Sequence, residues 1–181
     1  MIRLIAATIS LALLSACAGP RIDTDVDPMT DFSRYHSYVW TQEPMDAPPL
    51  VRQRIVRTID EQLRAKGWQR RESGHEADIG IVAHVATETR QNLDTFYSGP
   101  AWAGWGWHGG WGMGMGMAQT IVTTYEVGTL VVDMFDLKDR RAVWRGNISG
   151  TIPDSSERLN KGIQDGIARL FEGFPPDSNR K

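Results

Sequence analysis

The chain has almost no cysteine: in 181 residues there is one, Cys17. An internal disulfide is therefore excluded, and the fold must be held by its core. The stretch from Leu4 to Leu14 is apolar, yet it is only about half the roughly twenty residues that a helix needs to span a bilayer. A strong positive charge is also missing. The net charge is −2, and no basic stripe interleaved with aromatics occurs, which argues against nucleic acid as a partner. Arg52, Arg54 and Arg57 share one helix and read as its solvated face. The four histidines, His36, His75, His84 and His108, are scattered, and neither Gly-x-Ser-x-Gly nor His-Glu-x-x-His occurs. The sequence therefore points to no enzyme, no catalytic residue and no cofactor.

What is present starts with Cys17. Residues 1–16 have the layout of a signal peptide: Arg3 is the only charge, then comes the apolar stretch, then small residues. Leu14-Ser15-Ala16-Cys17 satisfies each position of a bacterial lipobox. Cys17 is then the residue that receives lipid, palmitate among its acyl chains, and becomes the mature N-terminus. The mature chain loses Arg3 and carries a net charge of −3. Ala18, rather than Asp, follows the cysteine. By resemblance to bacterial lipoproteins, this implies the outer membrane, with the protein on the inner leaflet facing the periplasm. Acyl chains supply the membrane affinity, so no amphipathic membrane helix is needed.

Residues 17–30 read as a lipidated tether leading into a first strand, Arg21–Val26, whose alternation is that of an edge strand. Tyr35–Trp40, rich in aromatic and β-branched residues, predicts a second strand. Val51, Ile55, Ile59 and Leu63, with Val56 beside them, form the apolar stripe of a helix from about Leu50 to Lys66. Gly67 is placed for a left-handed C-cap, and Trp68 to fold back on the core. Residues 69–77 read as a polar loop. Asp78–Thr87 is a strand apolar on both faces, hence central. Tyr125–Asp136 and Ala142–Ile152 predict a hairpin around the charged turn Leu137–Arg141, with Leu130, Val132 and Met134 toward the core. Gly146 and Gly150 leave room on the Trp144 face for a helix or a ring. A cross-strand ion pair between Asp133 and Arg145 is one option for the other face, and turn chemistry accounts for Asp136. A last helix begins near Asp154, with Glu157 completing a capping box, and ends at Pro175-Pro176. Residues 177–181 read as a disordered tail. The order (β)β-α-β-β-β-α predicts an α+β two-layer sandwich: an antiparallel-rich sheet with both amphipathic helices on one face.

One segment fits no regular element. From Thr95 to Tyr125 there is no Asp, Glu, Lys or Arg, while eight of the eighteen glycines fall there. Trp102, Trp105, Trp107 and Trp111 lie in it, with Met113, Met115 and Met117. Frequent glycine opposes both helix and strand through backbone entropy, so residues 95–124 read as a long loop. Two roles for the tryptophans stand side by side. They anchor an envelope partner or sit at a membrane boundary, or they fold back over the open sheet face and complete the core. The alternative for the loop is soft-metal or small-ligand binding, since His108 and the three thioethers suit Cu(I). Against it, a glycine-rich loop gives donors no fixed geometry.

Asp31-Phe32-Ser33-x-Tyr35-x-Ser37-Tyr38-x-Trp40 resembles the opening motif of the domain of unknown function 4136, a family of bacterial envelope lipoproteins. Lys66-Gly67-Trp68, Asp78, Gly128-Thr129-Leu130-Val131-Val132-Asp133, Val143-Trp144-Arg145-Gly146 and Phe174-Pro175-Pro176 follow in the family's order, so the resemblance covers residues 22–176 as a single domain. It implies a lipid-anchored envelope protein of structural or partner-binding role and carries over no catalytic residue. Ser37 stands where the family would have Thr.

Overall fold

The computed structural model describes residues 19–97 and 118–176. Eight elements build the domain: β1 (Arg21–Val26), β2 (Ser37–Gln42), α1 (Pro49–Ala65), β3 (Gln69–Arg70), β4 (Ile79–Tyr97), β5 (Ala118–Asp136), β6 (Arg141–Thr151) and α2 (Ser156–Leu170). One six-stranded sheet has the order β1-β6-β5-β4-β2-β3. The β4–β5–β6–β1 ladders are antiparallel, and β2 runs parallel to β4 and to β3. The sheet is thus antiparallel-rich, with β4 central and β1 at an edge.

Strand periodicity sorts the two faces. Ile79, Ile81 and Ala83 of β4 stand opposite Asp136, Met134 and Val132 of β5, and Met134 and Val132 in turn face Trp144 and Gly146 of β6. This face receives Ile55, Ile59 and Leu63 of α1 and Ile167 and Leu170 of α2, all buried in one core cluster. Both helices therefore cover the same face, and the fold is the two-layer α+β sandwich. On the other face, Asp133 receives Arg145 at 2.6 and 3.0 Å, and Thr129 bonds Ser149 at 3.1 Å.

Local chemistry sets the helix ends. Pro49 opens α1 at a position whose N–H would lack an intrahelical partner. Gly67 takes φ +85°, with its own N–H bonding the Arg64 carbonyl and the Trp68 N–H the Leu63 carbonyl, the two bonds of a Schellman cap. That reversal carries Trp68 back against Tyr35 and Phe174. At the start of α2 the cap is Ser155, one residue beyond the Asp154 that the capping-box pattern suggests; its oxygen accepts the Arg158 N–H at 3.2 Å.

Three further expectations change. The predicted polar loop 69–77 contains β3, drawn into the sheet by pairing with Ser37 and Tyr38. β2 begins at Ser37, because a 3-10 turn, Phe32–Arg34, occupies the residues before it. The expected loop 95–124 is shortened from both sides. β4 runs on to Tyr97 and β5 starts at Ala118, since the threonines, Ile121 and Val122 pair in register with Thr89–Tyr97.

Gly146 leaves room for Leu170 of α2 against the sheet. A Cβ there would meet the Trp144 ring and sit 2.8 Å from a Leu170 methyl. Gly146→Val is expected to cost about 1–3 kcal/mol by overpacking, read as a lower urea midpoint with an unchanged slope.

Candidate functional site

The residues that the sequence singles out for function lie outside the described residues: Cys17, Trp102, Trp105, Trp107, Trp111, and the His108, Met113, Met115 and Met117 set. What the structure places is the element that brackets the aromatic segment. Pairing of β5 with β6 ends at Val127 opposite Thr151, and pairing of β2 with β4 ends at Val82. The β4–β5 ladder continues alone from Thr89 opposite Glu126 to Tyr97 opposite Ala118. These nine residue pairs make a two-stranded arm about 30 Å long. Leu93 and Val122 are directly opposite each other on it, 68% and 53% exposed. Ile121 is exposed as well. The only ion pair among the arm's described side chains is Arg90 to Glu88 at 2.9 Å, two residues apart on one strand.

A second concave feature lies between β1 and the C-terminal end of α2. It encloses about 620 Å³ over a floor of Phe32, Trp144, Leu170 and Phe174. Its rim carries Asp23, Asp27 and Arg169. Asp27 is already engaged: it accepts from Thr30 at 2.9 Å and pairs with Arg141 at 2.8 Å.

The remaining polar clusters join elements. Asp136 is buried. Its carboxylate accepts the Lys138 and Asp139 N–H groups at 2.8 and 2.9 Å, the Tyr35 hydroxyl at 2.7 Å, and the Arg34 guanidinium. Burial alone would raise its pKa, but these donors prevail and hold it at about 2. Burial, reinforced by Asp136, pushes the Tyr35 hydroxyl up to about 12. Asp78 accepts the His36 and Ser37 N–H groups and the Ser37 hydroxyl at 2.7–3.0 Å. Its burial favours the neutral acid, and those three bonds reverse the effect, lowering the pKa. Asp60 of α1 accepts the Tyr38 hydroxyl, the Trp40 indole N–H and Arg70 at 2.7–2.9 Å.

Asp133 and Asp136 do not form a carboxylate pair, because odd spacing sends them to opposite faces of β5 and each has its own cation. His36, His75 and His84 are exposed and apart, and among the described residues no three His, Cys, Asp or Glu side chains are grouped to hold a metal ion. Sequence reasoning missed Asp60 and Arg34. Asp60 carried a signal: it is a carboxylate beside Ile59, within the buried stripe of α1.

Fold and arm define an α+β sandwich carrying a projecting β-hairpin. Residues 22–176 match DUF4136, a domain of unknown function, and the chain belongs to that family. No curated protein matches it. Among solved structures, it is similar to a DUF4136 family protein from Bacteroides thetaiotaomicron, with TM-score 0.53 and 18% identity over 87% of this chain and 96% of that one. It is also similar to a PDZ domain protein from Parabacteroides distasonis, with TM-score 0.56 and 12% identity over 87% of this chain. The match spans only 36% of that protein. Both likenesses are of fold alone.

The Asp136 cluster makes a pH prediction. Its folded pKa lies below the ordinary value of 3.8, so its contribution is complete above about pH 4 and is lost as pH falls toward 2. Asp136→Asn should lower stability by about 2 kcal/mol at pH 7. In urea titrations at pH 7, 4 and 2.5, the gap between parent and variant should narrow with acidity. A gap that stayed constant would show that the carboxylate's charge is not what stabilises the turn.

Proposed function

We propose that the protein is a lipid-anchored component of the bacterial cell envelope whose folded domain is a base for the β4–β5 arm, and that the arm presents the aromatic segment to an envelope partner. The observation that carries this reading is the nine-pair extension of the ladder beyond the support of β2 and β6. It holds the two ends of an uncharged, tryptophan-rich segment at a distance from the core. Tryptophan is among the residue types enriched at interface hot spots. The perturbed groups of the body, Asp136, Asp78, Tyr35 and Tyr38, are engaged in joining elements, which favours binding over catalysis as the role.

The lipobox at Cys17 supports membrane attachment, and Ala18 supports the inner leaflet of the outer membrane, facing the periplasm. No helix among the described residues is long and apolar enough to cross a membrane. The lipid is therefore the anchor in this reading.

Two variants test it. Cys17→Ser should leave the thermal melt of the domain unchanged and move the protein from the membrane fraction to the soluble one after a high-salt wash. Retention in the membrane fraction would shift the anchoring role to the arm. Deletion of residues 99–118 should leave thermal stability close to the parent's while abolishing capture of the partner in envelope pull-downs. A large fall in the melting temperature would instead assign the tryptophans to the core.

A further inference from the structure

The arm has a free edge that matches itself. Beyond Val82 the outer edge of β4 has no strand partner among the described residues. Unpaired edges recruit other strands, and proteins usually blunt them with Lys, Pro or bulges. From Ala83 to Tyr97 there is no Lys, Pro or Gly, and the β4–β5 register is unbroken. A two-stranded ribbon is also marginal in water, and it gains from further strands that share a hydrophobic face.

We infer that two copies of this chain pair antiparallel along the outer edges of β4, with Thr89 on the two-fold axis, giving a four-stranded β5-β4-β4-β5 ribbon. The charges select the register. In an antiparallel pair, side chains directly opposite share a face and meet. An axis at Thr89 sets Glu88 of each copy opposite Arg90 of the other, so the Glu88–Arg90 pair within each strand becomes a ring of four alternating charges. The same register puts the exposed Leu93 opposite Val85. Neighbouring registers fail. An axis at Glu88 or Arg90 sets like charges directly opposite, and an axis at Gln91 sets Glu88 against Asp94. An axis at Asn92 also sets opposite charges together, Arg90 against Asp94, but it makes two such pairs rather than a ring of four charges, leaves Glu88 opposite Phe96 and shortens the overlap. The outer edge of β5 in the arm, with Glu126 as its single charge, offers no such selection. The self-complementary sequence makes a second copy the occupant, in the isologous manner of two-fold dimers.

The test uses the full chain in mild detergent, with its mass read by sedimentation. The parent should be a dimer. Glu88→Arg and Arg90→Glu each place like charges opposite each other twice per dimer and should weaken it about tenfold or more. The double variant E88R/R90E should restore it, with the near-UV circular dichroism of the folded body retained throughout. Thr89→Cys should give a covalent dimer on mild oxidation. Thr87→Cys should not, since its two copies would lie about 13 Å apart, beyond disulfide reach. The chain bearing only Cys17 serves as the blank. A monomeric parent, a double variant that stays monomeric, equal crosslinking at 87 and 89, or crosslinking of Thr89→Cys to a different envelope protein in cells would each overturn self-pairing.

Discussion

The sandwich depends on the fixing of residues 34–40 by three aspartates. Asp136 takes Arg34 and Tyr35, Asp78 takes the backbone of His36 and Ser37 with the Ser37 hydroxyl, and Asp60 takes Tyr38 and Trp40. Each carboxylate comes from a different place: the β5–β6 turn, the residue before β4, and the buried side of α1. β2 is the segment that most needs such help. It pairs parallel to β4 through a connection that includes α1, so no tight turn sets its register. Asp78 supplies the register, binding Ser37 immediately before Tyr38 pairs with Ile79. A slip by one residue would turn Tyr38 out of the core and break the bonds to all three carboxylates together.

The family motifs acquire a physical meaning from this arrangement. Asp31 caps the turn before β2. Phe32, Tyr35, Trp68, Trp144 and Phe174 form a chain of edge-on aromatic contacts. Gly67 supplies a positive φ, and Gly146 a gap for Leu170. Asp133 and Arg145 form the pair on the open face. The matching residues are those that build the sandwich. The motifs therefore account for the sandwich, and the arm lies outside them.

The sequence made the body legible because its elements follow simple periods. The four-residue spacing in α1, the alternation of β4, and the glycine after α1 each have one structural solution. Asp133 and Arg145 were readable only as an option, since an ion pair across strands depends on a register that no local pattern contains. Asp60 was hidden for a related reason: its three donors come from β2 and β3, distant in sequence. The base of the arm escapes these patterns because the absence of charge from residue 95 onward reads as one uniform loop. The Thr, Ile and Val run at 120–124 is strand-forming in itself, and its pairing partner, Gln91–Thr95, is polar apart from Leu93. An apolar-alternation rule finds half-buried strands, and this ribbon is exposed on both faces through most of its described length.

That exposure separates the arm from the rest of the chain energetically. The central body strands have a helix layer on one face and a strand on either side, so their backbone bonds are supported by burial. In the arm, the ladder bonds between β4 and β5 stand largely without it, with Leu93, Ile121 and Val122 in solvent. Local opening should begin where burial is least. A ribbon of this length so weakly supported by its own domain gains most from whatever else it touches. The same weakness makes it responsive: a contact that covers Leu93 and Val122, or adds a strand to the β4 edge, stabilises the arm without requiring any change in the aspartate-pinned body.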